Sequence, residues 1–330
     1  MKWLITGGCG FIGSNLVSHL VRERRHKIIV VDNQTVGQRS NLEAVAAVTD
    51  LDVRKVGALH SHIGDGVVGL VAADILDADL ALTASAGVDV IVHLAANTGV
   101  QPSLQDPRRD LETNVVGTFN YLQAARHNSV SRFVFASSGA PVGSVEPPIH
   151  EELAPHPISP YGASKLAGEG YCSAFAHSFG VETVALRFGN VYGPGSAHKR
   201  SVIANFFQRI LRGETLEIYG DGLQTRDFIF VDDLTDAVVR SVLAEGVGGE
   251  TFQIATQSET SVRELLDQMR TVVEEAGVVW PGVTYAEPLM GDVRRNFSDT
   301  SKAGRMLGWQ ARVALREGLR RTLAYWQSVA

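Results

Sequence analysis

The 330-residue sequence has only two cysteines, Cys9 and Cys172, without metal-ligand or redox spacing, which argues against a disulfide-stapled or metal-centred protein. No apolar run approaches the roughly 18 residues that span a bilayer. The N-terminus enters a strand directly, without a basic, apolar, small-residue leader pattern. Positive charge is not in excess: 30 Lys and Arg against 36 Asp and Glu leave a net charge of -6, so no global basic field recruits nucleic acid. Internal repeats and low-complexity linkers are also lacking. These absences lead us to expect a cytoplasmic protein that works without membrane, nucleic acid or metal. What is present is an ordinary globular composition, 45% hydrophobic and 20% charged, in a chain long enough for more than one lobe.

The chain opens on a short apolar strand, Trp3-Leu4-Ile5, that runs into Thr6-Gly7-Gly8-Cys9-Gly10-Phe11-Ile12-Gly13. Ile12, Leu16, Val17, Leu20 and Val21 then recur at helical spacing. Strand, glycine loop and amphipathic helix make the dinucleotide-binding start of a doubly wound parallel α/β sheet, because the glycines let backbone N–H groups approach a pyrophosphate at a helix N-terminus. Gly7, Gly10 and Gly13 are spaced one residue wider than G-x-G-x-x-G. The second strand, Lys27 to Val31, ends in Asp32-Asn33. An acid there accepts hydrogen bonds from ribose hydroxyls and repels a 2′-phosphate, which favours NAD over NADP.

Residues 34–66 are weakly patterned, with a helix start expected at Asn41 and a turn at Gly64-Asp65-Gly66 before a strand over 67–73. Asp74-Ile75 follows that strand and is placed to meet an adenine ring. Residues 88–96 read as a buried strand running into small residues, as close passage of backbone past a flat cofactor requires. Helical periodicity extends from Leu111 to Ala125 through Asn114, and the strand Arg132 to Ala136 delivers Ser137-Ser138 at its C-terminal end. In an open parallel sheet that edge is where ligands bind.

Within Ser159-Pro160-Tyr161-Gly162-Ala163-Ser164-Lys165, a tyrosine and a lysine stand four residues apart at an expected helix start. Four residues is a little over one turn, so the Lys165 ammonium shares a face with the Tyr161 phenol. An ammonium beside a phenol favours the phenolate and lowers its pKa from about 10 towards neutrality. A general base acting on a sugar or alcohol hydroxyl needs that shift. Alone, such a pair is usually a core ring with a solvated charge beyond it; its company in this chain gives it weight.

Taken together, the glycine loop, Asp32, His93-Leu94-Ala95-Ala96, Asn114, Ser137-Ser138, Tyr161-x-x-x-Lys165 and the run Arg187 to Gly195 resemble an extended short-chain dehydrogenase/reductase. Within that superfamily the chain is most similar to nucleotide-sugar 4-epimerases of the UDP-glucose/UDP-galactose type. The resemblance implies a Rossmann sheet with a smaller α+β substrate-binding lobe, interleaved as residues 1–190 plus 227–252 for NAD and 191–226 plus 253–330 for the nucleotide sugar. It also implies that Ser138 hydrogen-bonds the reacting oxygen, Tyr161 is the acid/base, and Lys165 holds the nicotinamide ribose while tuning Tyr161. Phe11, Ile12, Asn33, Leu94, Ala95, Ala96, Asn114, Ser137 and Gly189 would join the glycines, Asp32, Asp74 and Ile75 around the cofactor. Thr98, Asn190, Ser201, Val202 and Arg226 would meet the UDP-sugar. A homodimer formed by the helices of Asn114 to Ala125 and Tyr161 to Phe175 is implied too; the second is rich in small residues, Ala163, Ala167, Gly168 and Gly170.

The chain departs from the family pattern in three places. In related 4,6-dehydratases and uronate decarboxylases, carboxylates after the catalytic Ser or Thr do the extra proton chemistry. Here Gly139 and Ala140 follow Ser138, so elimination and decarboxylation lack their partner and epimerisation is favoured. The usual arginine before Gly291-Asp292 is replaced by Leu289, with Arg294 or Arg295 as substitutes, and Pro141-Val142 replaces a common Val-Tyr. Between Pro194 and Asn205, a segment that the family places over the nucleotide sugar, His198, Lys199 and Arg200 form either a solvated tip or a contact in which Arg200 takes a sugar carboxylate. The neutral hexose is thus expected ahead of the uronate. A dehydrogenase or reductase using the same residues, and a dinucleotide-sensing protein without catalysis, are the alternatives.

Overall fold

The computed structural model describes residues 1–53, 63–64, 66–196, 201–288 and 293–329. His198, Lys199, Arg200, Leu289, Gly291 and Asp292 lie outside the described residues. The first part of the chain runs β1 (Lys2–Thr6), α1 (Phe11–Arg22), β2 (Lys27–Asp32), α2 (Arg39–Glu43), β3 (Ala47–Asp50), β4 (Val67–Ala72), α3 (Ala78–Ala84) and β5 (Val90–His93). It continues through α4 (Val100–Gln105), α5 (Pro107–Leu111), a π-helical turn (Glu112–Val116), α6 (Gly117–His127), β6 (Arg132–Ser138), a 3-10 turn (Ala140–Val142), α7 (Pro160–Phe179) and β7 (Thr183–Phe188). The remainder comprises β8 (Asn190–Tyr192), α8 (Val202–Leu211), β9 (Leu216–Tyr219), β10 (Thr225–Arg226), β11 (Phe228–Phe230), α9 (Val231–Leu243), β12 (Glu250–Ile254), β13 (Thr260–Ser261), α10 (Val262–Glu275), β14 (Val283–Ala286), α11 (Ser301–Leu307) and α12 (Leu315–Val329).

Eight strands form one parallel sheet in the order β12-β7-β6-β5-β1-β2-β4-β3. The continuous apolar strands follow from burial on both faces. Alternate residues of one strand serve opposite layers: Trp3, Ile5, Ile28 and Val30 pack with Leu16, Val17 and Leu20 of α1 and with α9, whereas Leu4, Ile29 and Val31 pack with α3, α6 and α7. Each fully buried Val, Leu or Ile contributes on the order of 1.5–3 kcal/mol. The strand order reverses between β1 and β5, so the C-terminal ends of β1, β5 and β6 open onto the crevice where a doubly wound sheet binds ligands. No helix among the described residues is long and apolar enough to cross a membrane.

Three expectations are corrected. The weakly patterned region contains α2 and the edge strand β3, whose half-exposed AVTD residues carry no apolar run. The helix expected over Leu111 to Ala125 is instead α5, a π turn and α6, with Asp106 capping Arg109 N at 3.0 Å and Pro107 in the first turn. The extra residue in the π turn leaves Asn114 facing inward, 1% exposed. Third, residues 227–243 are expected from the family resemblance to return to the large sheet as a strand and a helix, but β11 pairs with β8 in a small two-stranded sheet and the segment that rejoins the large sheet is β12. The sequence Ser261-Val262-Arg263-Glu264 is a capping-box signature, and the box is present at the start of α10, with Ser261 and Glu264 bonded reciprocally.

One buried acid ties the second part of the chain to the first. Asp227, 0% exposed, accepts from Thr256 N at 2.8 Å, Thr256 Oγ1 at 2.5 Å and Ser298 N at 3.3 Å, while its backbone oxygen accepts from Asn190 N.

Candidate active site

Helix α7 carries the reacting pair. Ser159, extended at φ -145°, caps Gly162 N at 3.1 Å, Pro160 occupies the first turn, and Gly180 closes the helix in the left-handed region. Tyr161 and Lys165 therefore lie one turn apart, with Lys165 Nζ 5.9 Å from the Tyr161 ring centre and 4.9 Å from that of Phe135. Lys165 is 3% exposed and donates to Ala136 O at 2.8 Å. Burial pushes its ammonium down to about 8. The Tyr161 phenol is pushed up to about 12, chiefly by burial; a hydrogen bond with Ser138 opposes the rise and the charge of Asp110 adds to it. This corrects the expectation that Lys165 by itself brings the phenol towards neutrality: desolvation outweighs it.

Ser138 ends β6, and its Oγ accepts from Ala140 N at 3.2 Å. Gly139 follows with φ -68°, ψ -14°, and a Cβ built there would meet no heavy atom within 4 Å. Neither backbone nor packing requires glycine at this point, and no carboxylate stands there. Gly162 is different, since its Cβ would fall 2.6 Å from Ala140 O. The close approach of α7 to the 3-10 turn depends on it.

Behind the pair is a buried polar layer. Glu169, one turn beyond Lys165, takes Arg187 of β7 in a bidentate pair, with both bonds at 2.8 Å, and also accepts from Ser137 Oγ at 2.5 Å. Ser137 thus directs its hydroxyl to Glu169, as the pleat dictates for the neighbour of Ser138. Asn114 accepts from Asn97 N at 2.7 Å and its amide nitrogen lies 3.0 Å from Asn97 O, Asp110 Oδ1 and Ser164 Oγ. His93 is buried between Thr6 Oγ1, 2.9 Å from Nδ1, and Thr118 Oγ1, 3.2 Å from Nε2. Thr118 gives its proton to Asn114 O at 2.6 Å, so it accepts from His93 Nε2–H, and Nδ1 accepts from Thr6. Burial pushes His93 down to about 3, so it is neutral.

The glycine loop has the form of a dinucleotide cradle. Gly7 lies at φ +72°, where an added Cβ would come 2.8 Å from Ala95 N, and a Cβ on Gly13 would come 2.4 Å from Gly7 O. Gly10 caps α1 without a side-chain bond and the first turn holds no acid, which leaves the helix N-terminus open to an anion. Phe11 and Ile12 are half-buried in that turn. Asp32, buried at the end of β2, accepts from Cys9 N at 2.9 Å and Gln34 N at 2.8 Å; each oxygen keeps acceptor capacity for a ribose hydroxyl. Asn33 donates to Asp74 at 2.8 Å. Leu94 N donates to Thr6 O at 3.1 Å and Ala95 N to Thr6 Oγ1 at 3.2 Å, with Ala96 beside them. These residues fit a dinucleotide without a 2′-phosphate. Ile75 differs from expectation: its side chain is core, against Gly117, where a Cβ would be 2.5 Å away.

The expected substrate residues are less tightly gathered. Asn190 and Thr98 are exposed, and Gly189 passes close to Ala255. Arg226 is half-buried and donates to Val293 O at 2.8 Å, among other partners. Ser201 and Val202 open α8. Arg294 is exposed and bound in a bidentate pair to Asp221, at 2.7 and 2.9 Å, while Arg295 pairs with Glu259 and Glu146. Neither arginine is thereby directed to a diphosphate. Sequence reasoning missed a cavity of about 390 Å³ between α8, β9 and the start of α10, lined by Val202, Phe206, Glu217, Tyr219 and Gln224 among others. Its only signal was the short LEIY strand after an apolar helix.

A family model described as NAD dependent epimerase/dehydratase matches residues 3–255. The chain is 37% identical over 333 residues to the UDP-glucose 4-epimerase of Mycolicibacterium smegmatis, covering 99% of each. Among solved structures it is similar to the UDP-glucose 4-epimerase of Thermotoga maritima with UDP-glucose, at a TM-score of 0.87 and 33% identity over 100% of this chain and 99% of that one. It is also similar to the UDP-glucuronic acid 4-epimerase of Bacillus cereus in complex with UDP-glucuronic acid and NAD, at a TM-score of 0.85 and 26% identity over 100% of both.

Proposed function

The chain belongs to the NAD dependent epimerase/dehydratase family, and from that premise we propose that it is a UDP-sugar 4-epimerase that interconverts C4 epimers through a 4-keto intermediate. The observation that carries the reading is the grouping of Ser138, Tyr161 and Lys165 at the ligand edge of the sheet, beside a Gly139-Ala140 pair that offers no acid. Ser138 holds the sugar oxygen, and Tyr161 takes the proton from the 4-hydroxyl and later returns it. Lys165 keeps two N–H donors beyond its bond to Ala136 O for a ribose diol. The chemistry that NAD would supply, held by the glycine loop and Asp32, is reversible hydride acceptance. With no carboxylate at Gly139 or Ala140, the 4-keto sugar lacks the acid that elimination uses, which favours its reduction.

We assign the neutral hexose pair first and the uronate pair second; Arg200, the residue on which the uronate reading rests, is to be tested by substitution. The 390 Å³ cavity has the size for the nucleotide base. We further propose a cytoplasmic homodimer, with residues 1–190 plus 227–252 serving the cofactor and 191–226 plus 253–330 the nucleotide sugar. The decisive assay incubates the purified protein with UDP-glucose, UDP-galactose and the two UDP-uronates without added cofactor. Formation of the 4-epimer supports the reading. Accumulated NADH would make the protein a dehydrogenase, and no turnover of any sugar would leave a dinucleotide-sensing protein.

A further inference from the structure

Four charged groups are buried together around α7: Lys165 and Arg187 as cations, Asp110 and Glu169 as anions. Arg187 and Glu169 satisfy each other in their bidentate pair. That leaves one ammonium and one carboxylate. Asp110 is 1% exposed; its Oδ1 lies 3.0 Å from Asn114 Nδ2, and its Oδ2 has no hydrogen-bond partner. A buried carboxylate with an unmatched oxygen is costly unless a positive charge stands near it. Burial raises the Asp110 carboxyl, and the nearby Ser164 hydroxyl and the charge of Lys165 oppose that rise; burial likewise lowers Lys165, and the charge of Asp110 is the largest of those that oppose it. The geometry is equally specific. Asp110 is one turn before Asn114, Asn114 reaches Ser164, and Ser164 donates to Tyr161 O at 3.1 Å from its place between Tyr161 and Lys165.

We propose, resting on the epimerase reading, that Asp110 is a positioning residue of the reaction: it braces Asn114 and Ser164 against the first turn of α7 and is the counter-charge of the Lys165 ammonium. The other groups that face this pair do not replace it. On α7, Glu169 also supports the ammonium, second to Asp110, but shares its charge with Arg187, and the Cys172 thiol is pushed up by burial; on α5 and the π turn, Arg108 and Glu112 pair with each other and Arg109 is exposed; on β5, His93 is neutral; α4 carries no charged residue. Tyr161, the remaining titratable neighbour, is the group whose phenolate Asp110 opposes, so Asp110 restrains the base while it preserves the ammonium.

The test compares wild type with Asp110→Asn and Asp110→Glu, as full-length proteins with their co-purifying cofactor. Activity requires protonated Lys165, so it is lost as pH rises through the Lys165 value of about 8. Without the Asp110 charge that loss moves about one unit towards acid, and the wild-type to Asp110→Asn ratio of kcat grows about fivefold between pH 7 and pH 9. Asp110→Glu, which keeps the charge, lowers kcat without moving the limb. An Asp110→Asn profile lowered uniformly and unshifted would overturn the proposal and leave Asp110 a structural residue. Should Asp110→Asn fail to fold, carbon-13 spectra of wild type decide: the Asp110 carboxyl must be ionised at pH 7, and a protonated one refutes the proposal. If wild type turns over no UDP-sugar, the epimerase reading fails separately, and the Lys165 side-chain titration, one of only six lysines, is compared in wild type and Asp110→Asn; an unmoved midpoint overturns the inference.

Discussion

On the proposed reading Tyr161 accepts a proton near neutrality, yet the chain holds its phenol at about 12 and opposes that rise only with Ser138. That reading requires bound cofactor and sugar to complete the base. Tyr161→Phe is expected to keep the fold and to lower kcat by roughly 10² to 10⁴, measured by conversion of UDP-sugar at pH 7–8; activity within a few-fold of wild type would remove Tyr161 from the role. Asp32 is fixed by two backbone N–H groups, so its charge stays where a 2′-phosphate would fall. Dinucleotide released by denaturing the purified protein should be NAD, and Asp32→Ala should raise the affinity for NADP relative to NAD, read by binding titration. At this scale the sequence was legible where backbone geometry follows spacing, as in the left-handed turn at Gly7 and the placing of Tyr161 and Lys165 one helical turn apart. It was opaque where burial decides: nothing in the letters separates Ile75 as core from Ile75 as cofactor wall, or reveals the unmatched oxygen of Asp110.

Helix α7 carries small residues for two different reasons, which the sequence could not distinguish. Gly168 lies against the sheet, where a Cβ would come 2.3 Å from the Phe135 ring, whereas Gly170 is exposed and a Cβ there meets nothing. Gly168→Ala should therefore destabilise the protein by about 1–3 kcal/mol in a denaturant titration, and Gly170→Ala should leave the monomer fold intact. Equal effects at the two sites would contradict this division. The π turn before α6 was illegible for a related reason. Its apolar residues keep a helical rhythm, and the extra residue that turns Asn114 inward is visible only in the backbone. Capping chemistry, by contrast, is local and reads directly, as at Ser261 and Ser159.

For the whole molecule, α4 to α7 present Leu104, Leu111, Val116, Tyr171 and Phe179 to solvent, with Gly170 open beside them. A face so apolar supports the proposed homodimer. Light scattering at micromolar concentration should give twice the 35.5 kDa chain mass, and a monomer mass would count against the dimer. The parallel sheet was readable because strands buried on both faces are continuous apolar runs; the edge strand β3 and the pairing of β11 with β8 were not, since short, partly exposed strands take their place from neighbours. Gly139 bears on how such a molecule can change over generations. The fold asks nothing of that position, neither a left-handed backbone nor a vacant volume for a neighbour. A glycine codon is one nucleotide from aspartate or glutamate, and at an unstrained site such a replacement carries little stability penalty. The step that would give this pocket a second acid is thus open to drift, because the architecture at this position does not forbid it.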